Sequence, residues 1–234
     1  MRKKKLVDFV IMCGGFGKRL RPFTYSIPKP FLTAHSISPA EYIINQVNNS
    51  NYKNNLYASI FYKKNYSKNW FKKKKIKSIK FLIENQPLGT AGCLKLLLKK
   101  KLNSKLILLI NGDLFAKINF DEMINYHIKN KKKITVGIKN HETVVPYSVV
   151  SKSNAKLLIE KPKLNKKINA GIYIIDIKFI KKYFSGNANS FVNMPDVINS
   201  ISSKQVSLFN IGKKWIDIGS IMDFKKSYEE IKYW

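Results

Sequence analysis

An apolar run that stops on a glycine-rich turn constrains this chain more than any other feature. Leu6, Val7 and Phe9 to Met12 form the run, and Gly14-Gly15-Phe16-Gly17 closes it. Lys18, Arg19 and Arg21 follow, and then Pro28-Lys29-Pro30. A run so short and apolar reads as a buried strand. Glycines behind it let the backbone approach a phosphate closely and turn N–H groups toward it, and the nearby Arg and Lys supply matching charge. The stretch therefore reads as a phosphate-binding loop after a buried strand.

Two well-known phosphate motifs do not fit. A Walker A loop needs a Gly five positions before its Gly-Lys and a Ser or Thr after the Lys. Here Met12 stands at the first position and Arg19 at the second. The dinucleotide fingerprint would need a small residue where Leu20 stands. A bland surface turn is the competing reading of any short Gly-Gly-x-Gly, and only downstream features can displace it.

Apolar runs and helical patterns alternate along the chain, which is the mark of an α/β domain. Strands are predicted at 6–12, 55–61, 79–84 and 105–110, with helices at 39–49, 64–73, 90–101 and 120–130. The second half predicts strands near 133–139, 147–151, 156–160, 168–175 and 205–210, with helices near 177–183, 194–203 and 220–232. A parallel sheet carries its ligands beyond the carboxyl ends of its strands. The turn at 13–17 and Asn111-Gly112-Asp113 both occupy that position, so they are expected to share one crevice.

At 234 residues the chain has room for one sizeable core. No Ser/Gly/Pro linker, repeat or low-complexity tract marks a boundary, so one domain over 1–234 is expected. The basic residues 2–5 precede an apolar run, but Asp8 interrupts it and no small-x-small cleavage site follows. No segment approaches the length of a membrane span. Cys13 and Cys93 are too few for a disulfide framework or a zinc site. A reducing cytoplasm is the natural compartment.

Asp113 ends the apolar run Leu106–Ile110 and precedes Leu114-Phe115, and Asp217 sits in Trp215-Ile216-Asp217-Ile218-Gly219. A carboxylate emerging from an apolar segment is costly unless it is paired or bound to a cation. One Asp alone reads equally as a turn closing its strand. Two such carboxylates suit Mg²⁺ with nucleotide phosphates, which needs few protein ligands because phosphate and water complete the octahedron.

The stretch from Gly14 to Pro30 resembles the signature of the sugar-1-phosphate nucleotidylyltransferases, G-G-x-G-[ST]-R-L-x-P-x-T…P-K-P. Further motifs then fall in that family's order: Glu84-Asn85-Gln86-Pro87-Leu88-Gly89-Thr90-Ala91-Gly92, Asn111-Gly112-Asp113, and Val145-Pro146-Tyr147-Ser148-Val149-Val150. Glu160-Lys161-Pro162, Asn169-Ala170-Gly171-Ile172-Tyr173 and Trp215 to Gly219 complete the series. Any one is weak; the ordered set is strong. Leu88 to Gly92 is similar to the GDP-sugar pyrophosphorylase branch. Val145-Pro146-Tyr147 with Met194-Pro195-Asp196 is most similar to guanylyltransferases that act on glucosamine 1-phosphate in nonulosonic-acid pathways. Members of that branch often carry CBS domains, for which this chain has no room, and no left-handed β-helix extension is expected either.

The resemblance implies a three-layer α/β/α, Rossmann-like nucleotidyltransferase fold with a mixed, mostly parallel central sheet. It also implies transfer of a nucleotidyl group, from GTP by preference, to a sugar 1-phosphate with Mg²⁺ as cofactor. UTP, dTTP or CTP as donor, and a catalytically silent regulatory homologue, are the alternatives; a homo-oligomer is left open. Carried over position by position, Gly14, Gly15 and Gly17 wrap the nucleotide, Arg19 contacts its phosphates, and Lys29 approaches the reacting phosphates. Glu84 reads the base edge with Gly89 against the base, Asp113 and Asp217 hold Mg²⁺, and Asn111, Glu160 and Asn169 serve the sugar; the competing reading has Glu84 cap the following turn or face solvent, with Gln86 reading the base. Lys161 meets the sugar phosphate. This chain departs from the pattern at Lys18, where Thr or Ser is usual, and at Ser148, where Gly is usual. Residues 33–39 also lack the usual Pro-Val-Gly-x-Lys-Pro, although Glu41 keeps its spacing from Pro30.

Formal net charge is +30, from 44 Lys+Arg against 14 Asp+Glu, which raises nucleic-acid binding as a function. The excess is nearly all Lys, in short runs at 72–75, 99–101 and 131–133 where helices end or loops begin. It accompanies heavy use of Asn and Ile, residues that share A/T-rich codons. No aromatic–basic groove motif goes with it, so no specific nucleic-acid partner is expected. Duplex or single-stranded nucleic acid should bind only weakly, with steep loss as salt rises. Sequence-selective binding tighter than about 1 μM at physiological salt, measured by fluorescence anisotropy, would overturn that expectation.

Overall fold

The computed structural model describes residues 6–151, 157–186 and 191–234. The basic residues 2–5 and the first residue of the strand expected at 156–160 lie outside the described residues. In the first half, β1 (Val7–Met12), β2 (Lys53–Ile60), β3 (Ile79–Ile83) and β4 (Leu106–Asn111) alternate with α1 (Pro39–Asn48), α2 (Lys64–Lys73) and α3 (Cys93–Leu98). There follow β5 (Leu114–Ala116), α4 (Phe120–Asn130), β6 (Ile134–Val144), β7 (Val149–Val150), β8 (Leu158–Ile159) and β9 (Lys163–Asp176). The chain then forms α5 (Ile177–Ser185), α6 (Met194–Asn199), β10 (Val206–Asn210), β11 (Trp215–Asp217) and α7 (Ile221–Glu230).

Local chemistry sets several helix starts. Ser38 accepts from the Glu41 N–H with Pro39 at the first helical position, Asn119 caps α4 through Glu122, and Asp176 caps α5 through Phe179. The helix expected at 90–101 starts only at Cys93, because 89–92 is a turn that opens with Gly89 in the left-handed region at φ +79°. The helix expected at 194–203 stops at Asn199.

Seven strands form one sheet in the order β10-β6-β9-β4-β1-β2-β3. β9 runs antiparallel to both its neighbours, and every other pair is parallel, so the sheet is mixed and mostly parallel. Alternation along β1 sends Phe9 and Ile11 to one face and Val10 to the other. The first face packs on α1, α2 and α4 through Ile43, Phe71 and Met123; the second packs on α3, α5 and α6 through Leu94, Ile180 and Val197. The result is a three-layer α/β/α fold. Burial on both faces is why β1, apart from Asp8, and β4 as far as Ile110 read as apolar runs.

β2 and β3 extend the sheet on one side of β1, and β4 lies on the other. The connections therefore part between β1 and β4 and leave a crevice beyond their carboxyl ends. Met12 pairs with Asn111 there, and the Gly112 N–H donates to the Met12 carbonyl at 3.0 Å.

Two features depart from the expected pattern. β6 and β9 are longer than predicted and pair from Val144–Lys163 inward as an exposed ribbon. Its outer part, residues 139–144 against 163–168, is mostly polar with only Val144, Leu164 and Ile168 apolar, so no apolar period announces it. β5 and β11, three residues each, pair antiparallel with Asp217 opposite Leu114. Strands that short carry no readable period.

Among the described residues, no helix is long and apolar enough to cross a membrane. Inside the fold, His127 of α4 shares a 2.7 Å hydrogen bond with Thr135 of β6, which in turn meets Ser207 of β10 at 2.7 Å. Burial pulls the His127 imidazole down to about 4, although Asp176 opposes the shift. The folded state thus binds this proton more weakly than the unfolded chain does. Its contribution is intact above about pH 6.5 and is lost as pH falls toward 4, up to on the order of 3 kcal/mol. Urea midpoints at pH 7.5 and 4.5 should differ by less in His127→Gln than in the wild type; equal differences would remove this role.

Candidate active site

A cavity of about 450 Å³ opens beyond the ends of β1 and β4. Gly14, Gly15, Gly17, Lys18 and Arg19 wall it on one side, Glu84 and Gly89 on another, and Lys29, Asn111 and Asp113 at its base. Two of the glycines differ instructively. Gly17 sits at φ +61°, where a side chain would lie 2.8 Å from Thr24; the fold itself needs it. A side chain on Gly15 would meet nothing within 4 Å and its φ is not left-handed, so neither strain nor packing requires glycine. Its bare backbone faces open cavity, the arrangement a close-approaching phosphate uses. Arg19 lies at the rim against Gly219 and has no carboxylate within ion-pair distance among the described residues.

At the base three charges meet. Pro28 precedes a short 3-10 turn, Lys29–Phe31, whose Pro30 and Phe31 are buried, and this holds Lys29 rigidly. Asp113 follows β4 and Asp217 ends β11; the β5–β11 pairing brings them together, with the Ile218 N–H donating to the Asp113 carbonyl at 3.2 Å. Lys29 Nζ lies 2.5 Å from Asp113 Oδ2 and 3.4 Å from Asp217 Oδ1. Burial pushes the Asp217 carboxyl up to about 6, Asp113 adds to that, and Lys29 opposes it. Burial lowers the Lys29 ammonium, but Asp113 and Asp217 outweigh it and its pKa ends raised. Asp113 Oδ1 is buried without a hydrogen-bond partner among the described residues. Two converging carboxylates, one with an orphaned oxygen, fit a divalent cation. Among the described residues no group of three or more His, Cys, Asp or Glu could hold a metal alone, so such a cation would draw further ligands from phosphate and water.

Glu84, just beyond β3, is 8% exposed. The Ser59 hydroxyl on β2 donates to its Oε1, and the Leu88 N–H donates to Oε2 at 3.3 Å. Burial raises this carboxyl while those two donors oppose it. Gly89 is held tightly: a side chain there would lie 2.4 Å from the Val192 carbonyl. Gln86, the other residue near the base position, is exposed and outside the cavity wall. Phe191 and Asn193 complete this wall, and the sequence motifs gave no sign of them or of Ser59.

The residues expected at the sugar are less gathered. Asn111 lies in the wall, packed beside Gly171. Asn169 donates to the Tyr173 hydroxyl at 2.7 Å and accepts from the Gly171 N–H at 3.0 Å, but is not in the wall. Glu160 and Lys161 are about two-thirds exposed, 4.0 Å from each other. Ser148 donates to Glu160. Both stand between β8 and the ribbon, away from the Lys29 cluster's cavity.

A model of the nucleotidyl transferase family matches residues 9–232, nearly the whole chain. The chain belongs to the nucleotidyl transferase family. It is 27% identical over 226 residues to a putative mannose-1-phosphate guanyltransferase of Sulfolobus acidocaldarius, covering 94% of this chain and 62% of that one. It is 26% identical to the D-glycero-alpha-D-manno-heptose 1-phosphate guanylyltransferase of Aneurinibacillus thermoaerophilus, covering 97% and 100%. The chain thus spans about 62% of the length of several of its curated relatives. Its fold is that of HddC from Yersinia pseudotuberculosis, solved in complex with GMP-PN: TM-score 0.71, 23% identity, 96% and 99% coverage.

A raised carboxyl gives a pH signature. Between about pH 4 and 6 the folded protein holds a proton on Asp217 that the unfolded chain lacks, so this stabilisation is lost as pH rises through about 6. With chelator present, Asp217→Asn should lose that part of the melting-point profile. A divalent cation should raise the wild-type melting point more at pH 7.5 than at pH 5. An equal rise at both values would count against cation binding at these carboxylates.

Proposed function

We propose that this protein transfers GMP from GTP to a sugar 1-phosphate and releases pyrophosphate. The observation that carries the reading is the convergence, in one cavity, of the open Gly15 backbone, the unpaired Arg19, and Lys29 lodged against Asp113 and Asp217. Relatives named as mannose and heptose 1-phosphate guanylyltransferases support the donor and the acceptor class. In this reading residues 1–234 act as one nucleotidyltransferase domain in the cytoplasm, consistent with two free buried cysteines.

An oxygen of the sugar phosphate attacks the α-phosphorus and forms the new P–O bond. The bond from that phosphorus to the bridging oxygen breaks, and its electron pair leaves with pyrophosphate. A phosphate monoester has its second pKa near ~6, so at neutral pH the nucleophile is already mostly dianionic and needs no general base. What the chain must supply is charge and alignment. Gly14, Gly15 and Gly17 present backbone to the triphosphate, and Arg19 and Lys29 neutralise it, with Lys18 adding charge beside them. Asp113 and Asp217 would hold Mg²⁺, which supplies charge neutralisation on the phosphates when bound. Asn111 and Asn169 serve the sugar. Glu160 and Lys161, exposed between β8 and β9, serve its hydroxyls and phosphate.

Glu84 is the base reader in this scheme. Guanine presents N1–H and an N2 amine side by side, and a carboxylate accepts from both; uracil and thymine offer one N–H between two carbonyls that would repel it. A pyrophosphate-release assay should give the highest kcat/KM with GTP among GTP, UTP, dTTP and CTP. Glu84→Gln should move the preference toward UTP and dTTP. Wild-type preference for a pyrimidine nucleotide would end the guanine reading. Asp113→Asn, still folded, should lose turnover by about 100-fold or more.

A further inference from the structure

We propose that Ser59 is the positioning residue behind base selectivity: its hydroxyl fixes the Glu84 carboxylate so that its remaining acceptor directions face the bound base. The inference rests on Glu84 as the base reader.

Ser59 lies on β2, 1% exposed, with its hydroxyl against Glu84 Oε1. An ionised carboxylate can only accept, so the single proton of the Ser59 hydroxyl must point at Glu84. The Leu88 N–H takes one acceptor direction on Oε2. One donor from the sheet and one from the following turn therefore hold the two oxygens separately, which stops the carboxylate rotating. Oε1 lies 3.7 Å from where a side chain on Gly14 would begin, so the carboxylate edge abuts the loop that lines the cavity.

The consequence is a fixed pair of acceptors, side by side, suited to the two adjacent donors of guanine. Without the Ser59 hydroxyl the buried charge loses a donor that favours the ionised form. A freely turning carboxylate no longer holds its two acceptors in register with the two guanine donors. A protonated one offers a donor and an acceptor, as an amide does, and no longer excludes a base with a single N–H between carbonyls.

The test compares GTP with ITP, which lacks the N2 amine, and with UTP. In Ser59→Ala the ratio of kcat/KM for GTP over ITP should fall about tenfold, through the nucleotide KM and with the sugar-phosphate KM unchanged. Ser59→Cys keeps the volume with a weaker donor and should fall between; it carries the same comparison if the alanine variant does not fold. A serine of merely structural importance would lower the melting point and leave the GTP:ITP ratio at its wild-type value, and that result would overturn the proposal. Loss of selectivity in Glu84→Gln alone, with Ser59→Ala unchanged, would overturn the role of Ser59 and spare the reading of Glu84. A wild type that does not favour GTP over ITP and UTP would overturn both.

Discussion

Two carboxylates cannot share a partly buried crevice unless a positive charge stands between them, and much of this cavity is arranged around that constraint. Lys29 meets it in the ligand-free molecule, 2.5 Å from Asp113 and 3.4 Å from Asp217. The prolines on either side of Lys29 and the buried Phe31 restrict where its ammonium can go. The cost of the arrangement is visible in Asp217, whose carboxyl is pushed up despite the lysine. It is visible again in Asp113 Oδ1, which is buried without a partner among the described residues. A site so short of positive charge is prepared for a cation and for polyanions that bring one. When phosphates arrive, they offer Lys29 a second partner.

The sheet makes that arrangement available. Because β2 and β4 lie on opposite sides of β1, the backbone leaves β1 and β4 in different directions and cannot fill the space between them. The glycine loop lies over that space from one side and Asn111 to Asp113 from the other. A separate two-stranded piece, β5 with β11, then returns the chain end to the crevice and delivers Asp217. Leu20, Leu32, Phe115, Ile216 and Ile218 form a third apolar cluster around this piece. Hydrophobic packing there holds two like charges close, which their repulsion alone would oppose.

Glu84 poses the same problem in a different form. It too is a buried carboxylate, but among the described residues no cation pairs with it; neutral donors from Ser59 and Leu88 hold it instead. The cavity therefore has a floor where Lys29 faces two carboxylates, with Lys18 and Arg19 on the glycine-loop side, and an acceptor-rich wall at Glu84.

Much of the fold was legible because its signals are local. Strands buried on two faces must be apolar throughout, helices declare themselves by caps such as Ser38, Asn119 and Asp176, and glycines mark turns such as 14–17. These features fixed the order of the main strands and helices, and they drew attention to Gly15, Lys29, Glu84, Asp113 and Asp217 as motif residues. What the sequence could not state was contact. Three-residue strands such as β5 and β11 have no period to read, and the outer ribbon of β6 and β9 is mostly polar with no regular apolar spacing. Ser59 looks like any serine in an apolar strand until β3 places Glu84 beside it, and Phe191 and Asn193 reach the wall only because α6 folds back over Gly89. Glu160 and Lys161 show the converse, since a motif matched in sequence still leaves them exposed, between β8 and β9 and outside the cavity wall. Burial and backbone conformation are properties of short segments, so the sequence determined the elements. Which charge meets which depends on pairings between distant parts of the chain, such as Lys29 with Asp113 and, 188 residues away, Asp217, and only the tertiary structure decided those.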